Sequence, residues 1–413
     1  MFFLYNVLVT FAGFCIKILA AFNPKMRLFV DGRSTVFETL ASKISSEDKS
    51  IWFHAASLGE YEQGLPVMEK LKTNFPDHKI VLTFFSPSGY EVRKNNSVAD
   101  VTVYLPLDTK FNAEKFIDLV HPEMVFFIKY EFWPNYLREL KNRKIATYLI
   151  SGIFRKDQLF FRWYGGFYRA ALDSFAHFFV QNTTSKDLLL QLGKSNVTVS
   201  GDTRFDRVSA ILEKDNHLDF ITEFKDNKLT IVVGSSWPKD EALLATFVNN
   251  TSHSIKWIIA PHNIKTEQIQ ELEKSLTKKT VLFSKKEGKN LCECDVFIID
   301  SIGILTKIYS EADIAYVGGG FGNPGVHNLL EPATFGVPIV HGPNYSHFAE
   351  AAALVNLGGC EVISNEEQLK KTLDNLIQNT DIRAEKGHIC STFVKVNTGA
   401  LSTIIKFISN RPL

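Results

Sequence analysis

Short apolar runs, each closed by a polar or glycine-containing turn and followed by a stretch with helical spacing, recur along most of this chain. In the first half they are Ile51–Phe53, the run from Ile80, Val101–Leu105, Met124–Ile128, His177–Val180 and the segment opening at Val197. The second half restarts the rhythm with Thr230–Ser236, Lys256–Asn263, TVLFS, VFIID and Asp313–Val317. Unbroken apolar strands separated by helices predict parallel sheets covered on both faces. The stretch SAILEKDNHLDFITEFKDNK, Ser209 to Lys228, is polar and charged and reads as the connection between two domains. The expected divisions are residues 1–22, 23–209 and 210–413. No fixed-period repeat and no low-complexity tract interrupts them.

Residues 1–22, MFFLYNVLVTFAGFCIKILAAF, break the pattern, being apolar apart from a few positions such as Asn6, Thr10 and Lys17. The length is near the roughly 20 residues that span a bilayer. No basic region precedes the run, which argues against a secretory signal. Lys25, Arg27 and Arg33 follow it and predict a cytoplasmic location for the rest. A helix buried on the protein itself is the competing reading. Ile153–Leu172 alternates aromatic residues with Arg155, Lys156, Arg162 and Arg169, which suits either a core helix or a surface facing anionic lipid.

The most informative stretch is Val317–Ala351, VGGGFGNPGVHNLLEPATFGVPIVHGPNYSHFAEA. A strand runs straight into Gly318, Gly319 and Gly320, and a helix-like segment, Leu329 and Leu330 onward to Phe335, is stopped by Gly336 and Pro338. Strand, glycine loop and helix start together predict amides turned toward an anion. Asn328 with Glu331 equally fits a capping box. Gly320, Gly322 and Gly325 match GxGxxG, yet Pro324 sits inside the match and Val340 stands where a ribose-binding acid belongs, so a dinucleotide site is not favoured.

Composition narrows the classes. A net charge of +1 argues against general nucleic-acid binding. Five cysteines with neither a disulfide framework nor zinc spacing fit a reducing compartment. Hydrophobic residues make up 45% of the 413 residues, enough for two sizeable cores.

GGxF…GxHNxLEPAxxGxPIxxGP resembles the donor-sugar loop of the 3-deoxy-D-manno-octulosonate (Kdo) transferases, and further stretches agree from near the N-terminus to about residue 350. The resemblance implies a GT-B fold, two doubly wound Rossmann-like domains facing across a cleft, with an N-terminal membrane anchor on the cytoplasmic face of the inner membrane. It implies transfer of Kdo from CMP-Kdo to a lipid A precursor, with inversion; no acidic pair in the sequence demands a metal, and a helix start with Arg204 could hold the phosphate, so no metal or other cofactor is expected. Glu60 in IWFHAASLGE falls on the family's catalytic acid, and Glu131 in KYEFWPN on a transition-state support. Arg204 in GDTRFD stands where the family has lysine beside the leaving group. Contacts to CMP are implied at Pro261 and His262, at Ile302, Gly303 and Ile304, at Gly318–Gly320, and at Asn328, Leu329, Leu330 and Glu331. Pro261 replaces a usual basic residue and Ile304 a common acid.

From the residues alone other readings stay open. Glu60 could be a helix-dipole partner, kept ionised by the positive helix end, and Glu131 part of a surface turn plugged by Trp133. The whole chain could be another GT-B enzyme, such as a UDP-sugar epimerase, or a membrane-tethered nucleotide-sugar binder without turnover.

Overall fold

The computed structural model describes residues 1–410; the end of the expected second domain, 411–413, lies outside them. The described chain divides into two compact units. The second is Val208–Asn397, and the first is everything before it together with the chain from Thr398 onward.

The first unit is built on seven strands: β1 (Lys49–Ala55), β2 (His78–Phe84), β3 (Val101–Tyr104), β4 (Pro122–Ile128), β5 (Ala146–Gly152), β6 (His177–Val180) and β7 (Val197–Val199). All neighbours are parallel, in the order β3-β2-β1-β4-β5-β6-β7. Alternate residues of each strand enter opposite cores, as a two-fold side-chain period requires. Trp52 packs with Val81, Val125 and Phe127 on one face. Ile51 and Phe53 pack with Leu82, Phe126 and Ile128 on the other. The order reverses between β1 and β4, and that crevice is where open α/β sheets bind ligands.

The second unit repeats the plan with β8 (Thr230–Ser236), β9 (Lys256–Pro261), β10 (Thr280–Leu282), β11 (Val296–Ile298), β12 (Ile314–Val317), β13 (Ile339–His341) and β14 (Cys360–Val362). Their order is β10-β11-β9-β8-β12-β13-β14, again all parallel. Its switch point lies between β8 and β12.

Three expectations change. The second unit does not run to the chain end. The helix Ala400–Ser409 buries Ile404 and Ile408 in the core that holds Ile51 and Phe53, and Phe407 stacks on His177 at 4.1 Å. Asp206 fixes this return by accepting from the Gly399 and Leu401 amides at 2.9 and 3.3 Å. Second, Ile153–Leu172 is not one helix: a turn at Leu159–Phe161 precedes a short helix, Gly166–Leu172, and leaves Trp163 90% exposed. Third, Arg33 is not a free membrane-flanking charge. It donates to the carbonyls of Phe29, Leu105 and Phe85 and lies over the Phe29 ring at 3.5 Å, and burial lowers its pKa to about 9.

The apolar N-terminal segment is a helix, Phe2–Ala20. Tyr5, Asn6 and Gly13 are turned toward the first unit, where the Tyr5 hydroxyl donates to Asp108 at 2.7 Å and a Cβ on Gly13 would meet Leu107 at 2.7 Å. Phe3, Leu4, Val7, Leu8, Phe11, Phe14, Ile18 and Leu19 are exposed.

Candidate functional site

The three candidate catalytic residues all stand at the carboxyl ends of strands of the first sheet. Glu60 lies in the first turn of the helix Leu58–Asn74, which follows β1. It is only 4% exposed, and its Oε2 accepts from the Ala56 amide at 2.5 Å. The residue therefore closes the helix start, as the structural reading expected, but its protonation departs from expectation. Burial, and next the charge of Glu131, raise its pKa from 4.5 to about 7, against opposing help from the Ala56 and Ser57 amides and Lys129. Desolvation outweighs the helix dipole because the carboxylate has lost most of its water.

Glu131 follows β4 across the switch point. The Trp133 indole N–H reaches both Glu131 Oε2 at 3.1 Å and His54 Nε2 at 2.9 Å. Since Nε2 accepts, His54 carries a proton on Nδ1, which donates to Thr83 Oγ1 at 2.9 Å. Thr83 also accepts from Trp52 Nε1 at 2.8 Å and donates to the Phe53 carbonyl at 3.3 Å. His54 and Thr83 are wholly buried, so this chain of bonds fixes the Glu131 turn from inside the sheet. Just before it, Lys129 has φ 67°, a conformation costly for a side chain with a Cβ.

Arg204 lies in the helix Thr203–Ser209 after β7. Its Nε donates to Asp202 Oδ2 at 3.0 Å, and the same oxygen accepts from Gln63 Nε2 at 3.0 Å. Gln63 is on the Glu60 helix, and Thr203 donates to the Gln63 carbonyl at 2.5 Å. The Arg204 loop is thus braced on the helix that carries Glu60.

In the second unit the predicted residues lie after the ends of β9, β11 and β12. Trp237 Nε1 donates to His327 Nε2 at 2.8 Å, and the two rings are nearly coplanar, 11° apart. His262 stacks on both, 4.8 Å from Trp237 and 4.4 Å from His327. Desolvation lowers both imidazoles, His327 to about 4, so they are neutral at pH 7. Glu331 accepts from Thr306 Oγ1 at 2.9 Å and Asn328 Nδ2 at 3.0 Å, while Asn328 Oδ1 takes the Leu330 amide at 3.1 Å. The N-cap position is held by Leu329 and not, as expected, by Asn328, which stands one residue earlier, and Glu331 bonds side chains rather than completing a capping box through the backbone.

The glycines differ from expectation. The Gly318 amide donates to the Gly234 carbonyl at 2.9 Å, and the Gly319 amide to Asp240 Oδ2 at 2.9 Å, so neither is open to an anion. A Cβ at Gly318 would lie 2.4 Å from the Ser235 carbonyl oxygen, and one at Gly320 would lie 2.7 Å from Gly342 Cα. These glycines let backbones touch. The helix that follows, Leu330–Thr334, is also shorter than expected, and Leu329 and Leu330 are buried, leaving only their backbone for a ligand. Pro261 ends β9; Ile302 is 82% exposed, Gly303 has φ 97°, and Ile304 starts a short helix.

The residues the sequence did not reveal are His54, Thr83, Trp237 and the stacking partner His327. The signals that could have found them are a histidine in an apolar strand for His54 and the GxHN stretch for His327; Thr83 and Trp237 carried no signal.

A family described as 3-Deoxy-D-manno-octulosonic-acid transferase (kdotransferase) matches residues 32–207. The chain is 30% identical over 349 residues to a protein of Aquifex aeolicus (strain VF5), covering 82% of this chain and 89% of the relative. It is 28% identical over 348 residues to one of Chlamydophila psittaci (strain ATCC VR-125 / 6BC), covering 81% and 78%. Both relatives are named 3-deoxy-D-manno-octulosonic acid transferase. Among solved structures, UDP-GlcNAc 2-epimerase from Neisseria meningitidis bound to UDP-GlcNAc superposes with a TM-score of 0.60 at 15% identity, covering 88% of this chain and 100% of that one. At that identity the likeness bears on fold alone.

Proposed function

Because this chain belongs to the 3-deoxy-D-manno-octulosonic-acid transferase family, glycosyltransferases of lipopolysaccharide biosynthesis, we propose that it moves Kdo from CMP-Kdo to a lipid A precursor with Glu60 as general base. The observation that carries the assignment of the base is the Glu60 pKa, raised to about 7 in the helix turn that follows β1 at the switch point. A base works best when its pKa lies near working pH.

In this reading the acceptor hydroxyl gives its proton to Glu60 as its oxygen attacks the anomeric carbon of Kdo. The bond from that carbon to the phosphate oxygen breaks, CMP leaves with the electron pair, and configuration inverts. Glu131 stabilises the oxocarbenium-like charge, and the Arg204 guanidinium the developing phosphate charge. With a cation from the protein in that role, no metal is required.

The second unit takes the nucleotide. Glu331 already accepts two bonds and keeps lone pairs for ribose hydroxyls. His262 presents a neutral ring seated on a fixed aromatic pair. Gly318–Gly320 contribute shape rather than open amides. Pro261, Ile302–Ile304, Asn328 and the backbone of Leu329 and Leu330 complete this set.

The helix Phe2–Ala20 holds the enzyme on the cytoplasmic face of the inner membrane. One side is bonded to the protein and the other is exposed and apolar, which supports a helix lying in one leaflet rather than spanning. Exposed Trp163 and Tyr164 suit the same interface.

Purified full-length protein in detergent, given CMP-Kdo and lipid A precursor, should yield a lipid heavier by Kdo, by mass spectrometry, and should do so after thorough chelation. Thermal stabilisation by UDP but not CMP, with no lipid product, would overturn the donor assignment. Loss of activity in EDTA restored by magnesium would overturn the metal-free chemistry.

A further inference from the structure

Two side chains of the N-terminal helix are out of place in a pure anchor. Tyr5 and Asn6 sit in an otherwise apolar segment, where polar groups are costly in lipid unless they find partners. Both find them on the protein. Asn6 Oδ1 accepts from the Lys110 amide at 2.9 Å and from Asn135 Nδ2 at 3.3 Å, and Asn6 Nδ2 donates to the Phe2 carbonyl at 2.8 Å and to Asn135 Oδ1 at 3.4 Å. Tyr5 donates to Asp108 Oδ2 at 2.7 Å.

Asp108 is only 1% exposed and does a second job. Its carboxylate accepts from the amides of Asn135 and Tyr136, each at 3.1 Å, and its carbonyl accepts from Asn135 Nδ2 at 2.6 Å. Those amides belong to the first turn of the helix Pro134–Asn142. The residue immediately before that helix is Trp133, whose indole N–H bonds Glu131 and His54. Pro134 fixes φ at the join and leaves little slack between the two ends. From Tyr5 and Asn6 the bonds therefore run without a gap through Asp108 and Asn135 to the Glu131 turn.

We propose that the N-terminal helix is a positioning element as well as an anchor, with Tyr5 and Asn6 holding the Glu131 turn in place through Asp108 and Asn135. The inference rests on the role given to Glu131 above. An anchor needs only apolar surface on its outer side; the inner side of this helix is specified by hydrogen bonds that end at the candidate catalytic turn.

Tyr5→Phe and Asn6→Leu test this, because both keep the helix apolar and so should leave recovery with membranes unchanged. Full-length variants are assayed in detergent, where anchoring no longer limits encounter with substrate. Each should lower kcat about tenfold, a modest share of what a misplaced catalytic group can cost, with the KM for CMP-Kdo unchanged. In the Glu131→Gln background the same substitutions should add nothing, since they act through the group already removed. Wild-type kcat in both variants would overturn the inference and leave the proposed function standing. So would a full tenfold loss persisting on Glu131→Gln, which would mark a general structural effect, or loss of membrane recovery, which would return the pair to anchoring. Wild-type transfer by Glu131→Gln itself would instead bring down the role of Glu131 on which the inference rests.

Discussion

After β1 the first unit places a buried carboxylate in the first turn of a helix; after β8 the second places the indole of Trp237. After β4 comes Glu131; after β12, three glycines. The two sheets share strand number, direction and a switch point beside the central strand, yet in one a carboxylate is raised toward neutrality there, and in the other the Asp240 carboxylate is taken up by the Gly319 amide beside a stack of neutral rings. In the first, burial raises Glu60 toward neutral pH, and Lys129 and Glu131 stand at the end of the neighbouring strand β4, with Arg204 after the edge strand β7. In the second, burial lowers His262 and His327 so that a neutral stack results. Desolvation works in both and disfavours the charged form in both. Acting on a carboxylate it raises the pKa toward neutrality; acting on imidazoles it leaves neutral rings. On the proposed function, the same architecture would separate proton chemistry from nucleotide recognition by the residues at its strand ends.

The strongest way to break that contrast is Glu60→Gln. If the first unit carries the chemistry, the variant should fold, bind CMP as the wild type does and lose transfer by at least about 100-fold. Near-normal turnover would return Glu60 to the role of a helix-start acid and make Glu131 the next candidate. The matching change in the second unit is Glu331→Gln, which should weaken CMP binding by about 1–3 kcal/mol in calorimetry while leaving the chemical step of bound substrate intact. Unchanged affinity with a lowered melting temperature would show that Glu331 serves only Thr306 and Asn328.

The two units were also unequally legible. Strands buried on both faces are continuous apolar runs, so Ile80–Phe84 or Ile231–Val233 could be read directly, and with them the doubly wound plan. The return of Ala400–Ser409 to the first unit was not readable. Its apolar stripe announces a buried face but not which core will take it, and Asp206, which selects the partner, lies far away in sequence. Glu60, Glu131 and Arg204 were singled out by the motifs that resemble the family's, and the structure puts all three after strand ends of one sheet. The Glu60 pKa could not be read, because it depends on burial and on Glu131, both set by tertiary packing. The glycine loop misled for the same reason: whether an amide is open depends on whether another residue, here Asp240, reaches it first.

The smallest expected effect sharpens the comparison most finely. If Glu60 is the base it works only when deprotonated, so transfer should rise as pH climbs through about 7 and level off above it. The raised value also means that the folded state holds this proton more tightly than the unfolded state, whose carboxyl stays near 4.5. Stability from this group is therefore present below that range and is lost as pH rises through about 7. Melting temperatures of Glu60→Gln should lack this part of the decline. Glu131 is the second cause of the raised value, after burial. Glu131→Gln should then move the rising limb of its residual activity to lower pH, though only part of the way, because the larger cause remains. Binding of CMP-Kdo, measured on the inactive Glu60→Gln protein, should stay flat from pH 6.5 to 8, since His327 titrates near 4 and His262 is lowered too. A limb that Glu131→Gln leaves unmoved would mean that the two carboxylates do not sense each other. Donor binding that climbs with the turnover limb would place the titrating group in nucleotide recognition and erase the division between the units.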